Sequence, residues 1–235
     1  MARMEAAKQV IAEATVTQRK DTAKVMARPT TIKTINMALR ALKRAERTIA
    51  RVLELVPPPS PIACQANCPW CCHIRLTASV PEVLAVLKHI REKFTGDEIT
   101  ALKRKVANID AFTRRQDGEA RARQRLPCPL LKDGSCSVHA VRPLSCRGVV
   151  SVDVAACKRA YDSHMQEPVP QHELQILAAN AVGYGIFAGL ADAGRELEDL
   201  EMNAALALGL ADKGIAKRWV RGQGGFFPAT QVKKS

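Results

Sequence analysis

The sequence predicts a mostly α-helical protein with little β-structure, in which an irregular, cysteine-rich core packs among the helices. Apolar residues recur at three- and four-residue steps along residues 32–56, which is typical of an amphipathic helix. Ser79 to Glu82 and Thr95 to Glu98 each fit the capping box that opens a helix. No series of alternating apolar and polar residues indicates a set of strands.

Residues 1–56 are predicted to form a basic helical N-terminal extension. They contain 12 basic and 5 acidic residues. The apolar stripe is clear from Ile32 to Val56 and weaker over residues 1–28, which are compatible with a loose helix or a mobile arm. Prolines at positions 57, 58, 59 and 61 end the second helix, because proline lacks the N–H that a helix interior needs.

Residues 57–165 are predicted to form a cysteine-cluster metal-binding domain that contains a helical hairpin. The two capping boxes place helices at about 80–94 and 96–116, and a helical hairpin is their simplest arrangement. The second cysteine block begins at Pro127 and is expected to run as irregular loop to about Val150. A short helix is predicted from Val152 to Met165.

Residues 166–235 are predicted to form a helical C-terminal region with a flexible basic tail. Helices are expected from His172 to about Ala193 and from Glu196 to about Ala211. Small residues four apart within the first of these helices predict close contact with a neighbouring helix; they are Ala181, Gly185 and Gly189. Glycines at positions 222, 224 and 225 and lysines at 233 and 234 predict the flexible tail.

The composition is that of a globular protein with a basic surface. The 235 residues carry a formal net charge of +13 and are 47% hydrophobic, which excludes a collagen-like or wholly disordered chain. The first residues lack the apolar run of a secretory signal. The longest apolar stretch, residues 176–190, includes Asn180, so no transmembrane segment is expected. A cytoplasmic location is therefore expected, where structural disulfides are rare.

The eight cysteines fall into two blocks, and this clustering predicts a metal centre. Inert core thiols are not expected to gather as four within nine residues. Sulfur-only coordination selects zinc or iron, and iron–sulfur clusters are included among these centres. The candidate metal ligands are Cys64, Cys68, Cys71, Cys72, Cys128, Cys136, Cys146 and Cys157.

Adjacent Cys71 and Cys72 leave the number of centres open. Side chains of neighbouring residues in extended backbone point to opposite sides, so joining one mononuclear site would require a tight turn. One of the two is then not a ligand, or the eight thiols serve two centres, or a larger cluster is present. Arg142 and Arg147 flank the block and are candidates to balance the negative charge of metal-bound thiolates.

The cysteine-rich segment resembles the YkgJ-type cysteine-cluster family, the zinc- or iron-chelating CxxCxxCC domain. The resemblance covers roughly residues 60–160 and includes the motif ending in Cys71-Cys72 and the Cys128-Pro-Leu-Leu element. It also includes the segment from Cys136 to Arg147, with its Arg-Pro-x-x-Cys-Arg pattern. Three residues separate Cys64 from Cys68 here, where the family pattern has two. The resemblance implies metal binding by these thiols, with an iron–sulfur cluster among the options.

Competing chemistry fits the sequence less well. Cys68-Pro-Trp-Cys71 has the spacing of a thioredoxin-like redox pair, but no strand precedes it and two more cysteines adjoin it. Covalent haem attachment needs Cys-x-x-Cys-His, and Cys72 interrupts that pattern before His73. His73 and His139 could replace a cysteine as ligands, but packing or outer hydrogen bonding is the expected role of both.

Three functional classes follow from these observations. In the first, zinc or iron held by thiolates is structural and the protein is a binding or adaptor module. In the second, a redox-active or catalytic iron–sulfur site is present, so whether the protein is an enzyme is left open. In the third, the basic extensions bind nucleic acid or an acidic protein partner beside a structural zinc site. The oligomeric state is not predicted.

Overall fold

The fold was analysed in a computed structural model that describes residues 1–114 and 116–230. It confirms a mostly helical protein with little β-structure: within those ranges there are ten α-helices and two sheets of two strands each. The helices are α1 Ala2–Met26, α2 Thr31–Leu55, α3 Val80–Lys93, α4 Gly96–Thr113, α5 Gly118–Arg123, α6 Leu144–Gly148, α7 Val154–Asp162, α8 Glu173–Asp192, α9 Met202–Ala211 and α10 Ile215–Val220. The strands are β1 Thr77–Ser79, β2 Leu131–Lys132, β3 Ser135–Cys136 and β4 Asp199–Glu201.

Helices α1, α2 and α8 pack against one another as a bundle. Residues 1–28, for which the sequence left two options, are a continuous helix to Met26. The small-residue stripe on α8 allows the close approach that was predicted: a Cβ added at Gly189 would lie 2.5 Å from the Arg19 carbonyl oxygen of α1. Glycine at this position therefore lets two helix backbones nearly touch.

Both predicted capping boxes are present. The Glu82 carboxylate accepts hydrogen bonds from the Ser79 backbone N–H and hydroxyl, and Glu98 accepts from the backbone N–H of Thr95. Helix α4 ends at Thr113, three residues before the predicted end. Helices α3 and α4 follow each other in sequence, but each makes its main packing contacts with other helices, and α9 packs against both.

Two short antiparallel strand pairs involve the cysteine-rich segment. Antiparallel strands β1 and β4 pair Thr77 with Glu201, which joins the middle of the chain to its C-terminal part. Strands β2 and β3 form a hairpin across Asp133 and Gly134, both of which have positive φ as a type I′ turn requires. The second cysteine block, expected as irregular loop, therefore contains this hairpin and helix α6.

The C-terminal region differs from the prediction in two places. Residues 196–198 are not helical; β4 follows them, and α9 begins only at Met202 because the Glu201 side chain caps it by accepting from the Ala204 backbone N–H. Helix α10 follows α9, and the segment expected as a flexible tail, which begins at Gly222, includes a fully buried Phe226. Burial of this aromatic ring fixes the segment to the core, and the predicted tail lysines at 233 and 234 lie outside the described residues.

Helix α8 is long and apolar enough to cross a membrane, and it is the one helix within residues 1–114 and 116–230 that meets both criteria. Half of its most apolar window is buried inside the protein, chiefly against α1 and α2. A core helix of a globular fold passes the same test, so this helix is weak evidence for a membrane span.

Candidate metal centre

The fold brings the two cysteine blocks into direct contact. The Cys128 backbone N–H donates a hydrogen bond to the Cys72 carbonyl oxygen, at an N–O distance of 2.7 Å. Beside it, the Ser135 hydroxyl donates to the Asn67 side-chain oxygen at 2.6 Å. The first link joins two cysteines directly, so thiols that are distant in sequence share one region of the molecule.

The sulfur-bearing residues line two adjoining cavities. The inner cavity is lined by Cys71, Cys72, Cys128, Cys136 and Cys146. The outer cavity is lined by Cys64, Cys68, Cys71 and Cys157. Each has a volume of about 70 Å³, several times the roughly 10–15 Å³ that one water molecule needs. All eight predicted ligands therefore face a cavity, and Cys71 lies in the wall between the two.

A 3₁₀ turn over Trp70–His73 places the adjacent thiols of Cys71 and Cys72. The turn is closed by a hydrogen bond from the Cys72 backbone N–H to the Pro69 carbonyl oxygen, at 2.9 Å. In this tight turn the two side chains are not forced to opposite sides, as they would be in extended backbone. Both residues therefore line the inner cavity.

Backbone groups point at several of the sulfurs. Cys68, Cys128 and Cys136 each have a hydrogen bond from the backbone of the residue two positions later. Such bonds lower the pKa of a thiol because they stabilise the negative thiolate. At all three positions burial outweighs these bonds, and the pKa of the thiol is raised above its ordinary value.

Burial acts in the opposite direction on the inner thiols. It raises the pKa of Cys128 to about 11, and burial together with neighbouring thiols raises the pKa of Cys146. The pKa of Cys71 is raised first by its hydrogen bond with Cys72 and then by burial. A bound cation would reverse this, because a metal ion deprotonates a coordinating thiol outright.

Two arginines, one buried and one half-buried, bring positive charge to the inner cavity. Arg121 is only 2% exposed, and its Nη2 donates to the Leu126 carbonyl oxygen. Its Nε and Nη1 are buried and have no hydrogen-bond partner among the described residues. Nε of Arg142 is likewise buried and without a hydrogen-bond partner among the described residues, and both side chains line the inner cavity. Burial lowers the pKa of Arg121, which reports the cost of holding a cation there.

Arg147, the other arginine singled out in the sequence, has a different role. It is buried but fully partnered, because it donates to the Glu46 carboxylate and to the carbonyl oxygens of Ala140 and Arg142. Its contacts hold the loop before α6 in place. Sequence reasoning missed Arg121, which lies in a segment rich in arginine where no signal separates it from exposed neighbours.

The outer cavity has a hydrogen bond of its own to sulfur. The Ser151 backbone N–H donates to Cys64 Sγ at 3.4 Å, while the Ser151 hydroxyl donates to the Pro170 carbonyl oxygen at 2.8 Å. Trp70 and Met165 complete part of the wall. Trp70 also packs on Tyr161, with ring centroids 5.3 Å apart, which ties the first cysteine block to helix α7.

Neither candidate histidine lines the inner or the outer cavity. His73 packs against the Tyr161 ring at 4.7 Å, and its Nδ1 lies 3.1 Å from the Pro69 carbonyl oxygen. His139 is exposed, in the 3₁₀ turn His139–Val141. These positions agree with the packing role expected for His73.

The thiols stand around the cavities rather than around a point. In the part of the chain that the structure describes, no three or more His, Cys, Asp or Glu side chains are arranged to hold a metal ion. Comparison with protein families, curated proteins and solved structures finds no match for this chain.

Proposed function

We propose that this protein is a metal-binding protein of the cysteine-cluster type, with a thiolate-coordinated zinc or iron centre in the inner cavity. The observation that carries the proposal is the pair of arginines with unpartnered buried nitrogens, Arg121 and Arg142, on the wall of a cavity lined by five thiols. The thiols supply soft donors, and the arginines indicate what charge the occupant carries.

The buried, unpartnered guanidinium nitrogens indicate a negatively charged occupant. A buried cation without a partner is costly, and removing one partner of a buried pair typically costs about 3–5 kcal/mol. The Glu201 carboxylate lines the same cavity and its charge acts on Arg121, but it is a single carboxylate facing two guanidinium groups. Four thiolates around a divalent ion carry a formal charge near −2, so such a group would supply further negative charge to both arginines. The same reasoning favours an anionic iron–sulfur cluster, whose thiolate ligands also make it negative.

The residues that would hold the centre are Cys72, Cys128, Cys136 and Cys146, with Cys71 as a fifth sulfur. When bound, zinc would brace the fold, whereas an iron–sulfur cluster would add the capacity to transfer electrons. The chain itself contributes hydrogen bonds to sulfur and the two guanidinium groups. We propose a binding or adaptor role for the zinc form and a redox role as the alternative for the iron form.

The test is the composition of anaerobically purified protein. Visible absorption with iron and sulfide supports the cluster form, and colourless protein with zinc supports the structural form. A Cys136→Ser variant should lose most of the inner metal, while Lys132→Ser on the same hairpin should keep it. Absence of both metals from wild-type protein, or full retention by Cys136→Ser, would overturn the proposal.

A second candidate function rests on the basic surface at the turn between α1 and α2. Lys24, Arg28, Lys33 and Arg40 line one groove there, and only Arg40 is bound closely to a carboxylate of that groove, Asp21. We propose nucleic acid as its ligand. The logarithm of the binding constant should fall linearly with the logarithm of the salt concentration, with a slope of about −0.9 per phosphate contacted. Salt-independent binding, or binding of acidic protein only, would exclude nucleic acid.

A further inference from the structure

A separate cavity lies where the helical bundle meets the β1–β4 pair. It has a volume of about 250 Å³, against about 70 Å³ for the inner cavity. Strand β1, the start of α6 and one face of α8 form its sides, together with Glu82 of α3 and Asp199 of β4. We call this space the α8 cleft. No cysteine among the described residues lines it, so it is independent of the proposed metal centre.

Helix α8 contributes a polar and aromatic face to the cleft. Asn180, Tyr184 and Phe187 follow one another at steps of four and three residues, which places them on the same side of the helix. Asn180 is the residue that interrupts the longest apolar stretch of the sequence. Neither its amide nor the Tyr184 hydroxyl has a hydrogen-bond partner among the described residues, and Tyr184 is 66% exposed. An amide and an aromatic ring are therefore available to a ligand.

The charge on the wall of the cleft is negative. The Glu82 and Asp199 carboxylates both line it, whereas no lysine, arginine or histidine of the described ranges does. Glu82 is buried and accepts hydrogen bonds from the Ser79 backbone N–H and hydroxyl and from the Leu144 backbone N–H. Burial raises the pKa of Glu82, and the charge of Asp199 raises it further. A cation in the cleft would therefore relieve the repulsion between two carboxylates.

The groups that line the cleft select an organic cation. Their negative charge disfavours an anion. A hard metal ion such as Ca²⁺ takes about six to eight oxygen ligands, but the Glu82 oxygens already accept three hydrogen bonds from the protein. Aromatic faces attract ammonium ions, and an ammonium group has N–H donors for the Asn180 carbonyl oxygen and the Asp199 carboxylate.

We propose that the α8 cleft binds an alkylammonium group, with its charge facing Asn180 and Asp199 and its carbon chain against Tyr184 and Phe187. A free amine and a lysine side chain of a partner peptide share this chemistry. The net charge of +13 repels cations at long range. Salt screens that repulsion beyond about 8 Å at physiological ionic strength, so the groups on the wall determine binding.

The experiment is calorimetric titration of the full-length protein with pentylammonium chloride. Binding should be saturable, and pentanol and pentanoate should bind more than about tenfold more weakly because they lack the positive charge. Tyr184→Ala should weaken pentylammonium binding about three- to fivefold through loss of the cation–π contact. Asp199→Asn, which keeps the side-chain shape, should weaken it more than about tenfold. Leu177→Ala is the matched control, because Leu177 is exposed on the same face of α8 but does not line the cleft.

Three results would overturn the proposal: no saturable binding of pentylammonium, equal binding of pentanol, or equal losses in Tyr184→Ala and Leu177→Ala. Since Tyr184 is exposed, its variant should fold even if Asp199→Asn does not. A second titration with N-acetyl-lysine methylamide separates the two sources of the group. Tighter binding than pentylammonium indicates a lysine side chain, and weaker binding indicates a free amine. Metal content should be the same in Tyr184→Ala and wild type, so failure of this site leaves the metal proposal standing.

Discussion

The backbone N–H of Cys128 donates a hydrogen bond to the carbonyl oxygen of Cys72 at an N–O distance of 2.7 Å, although 55 residues lie between the two cysteines in the sequence. This bond is a main-chain contact, so it does not depend on metal or on the state of the thiols. It holds the two cysteine blocks next to each other, so that side chains from both line the inner cavity. A metal would therefore enter a region that the protein backbone has already organised.

Removal of metal should loosen the cysteine-rich core but spare the helical bundle. Helices α1, α2 and α8 pack on one another through apolar contacts that involve no cysteine. We expect a chelator to change the helical circular dichroism little, while proteolysis within residues 60–76 accelerates because that segment loses its support. Loss of most helical signal on chelation would contradict this division.

Replacement of Arg121 should have different consequences in metal-free and metal-loaded protein. Arg121→Met removes a buried cation with two unpartnered nitrogens but also loses the hydrogen bond to Leu126. The two effects offset in metal-free protein, whose unfolding free energy should change by less than about 1 kcal/mol. The loaded centre should lose 10–100-fold in metal affinity, as is typical for groups around a metal site.

Chemical denaturation and chelator competition measure the two quantities. Arg123→Met is the control, because Arg123 lies in the same helix but is exposed and paired with Glu119. Equal losses of metal affinity in both variants would show that general positive charge, rather than the Arg121 position, supports the centre.

The contact between α1 and α8 predicts opposite effects for two glycine substitutions in one helix. A Cβ at Gly189 would collide with the Arg19 carbonyl oxygen and Thr22, whereas at Gly183 the nearest atom is Leu144 Cδ1 at 3.8 Å. Gly189→Ala should destabilise the protein by about 1–3 kcal/mol. Gly183→Ala should stabilise it by up to about 1 kcal/mol, from helix propensity. Urea unfolding of both variants measures the difference, and equal effects would contradict the packing.

Glu198 should make stability depend on pH. Its carboxylate accepts from the Trp219 indole N–H at 3.1 Å, and burial raises its pKa above the ordinary 4.5. The folded state therefore binds the proton more tightly, and stability falls as pH rises from 4.5 through the raised value. Glu198→Gln removes the cost of burying an ionised carboxylate, so the unfolding free energy of the variant should exceed that of wild type at neutral pH. The difference should vanish at low pH, where Glu198 is protonated.

Tryptophan fluorescence during unfolding at several pH values follows this change. Glu196→Gln removes an exposed negative charge that also raises the pKa of Glu198, so it should change the profile in the same direction but by less. A gain for Glu198→Gln that persists below pH 4.5 would show that packing, rather than ionisation, is responsible.

The helices were predictable because local chemistry determines them. Ser79 with Glu82 and Thr95 with Glu98 satisfy the first backbone groups of α3 and α4 wherever those helices pack. Strand β4 was missed because it has only three residues and exists by pairing with β1, more than a hundred residues away. Such a strand has no periodicity of its own, and only the tertiary fold creates it.

The candidate site, too, was predictable where it depends on local sequence and not where it depends on the tertiary fold. Clustering identified the cysteines, since their spacing is a local property, but it did not separate Cys64, Cys68 and Cys157 from the inner thiols. That division depends on where the turn at Trp70–His73 directs Cys71 and on where α7 is placed. Arg121 was not identified because its burial results from packing around α5, which the sequence of that arginine-rich segment does not encode locally.

The pairing of β1 with β4 also has a consequence for synthesis on the ribosome. Glu201 must be synthesised before Thr77 can pair with it. After Cys72 has been added to the chain, 129 further residues are therefore made before this pairing can form. At translation rates of about 5–20 residues per second this interval is roughly 6–26 s. During it the wall of the inner cavity lacks Glu201, Met202 and Asn203, so the order of metal delivery and chain completion becomes a matter of timing.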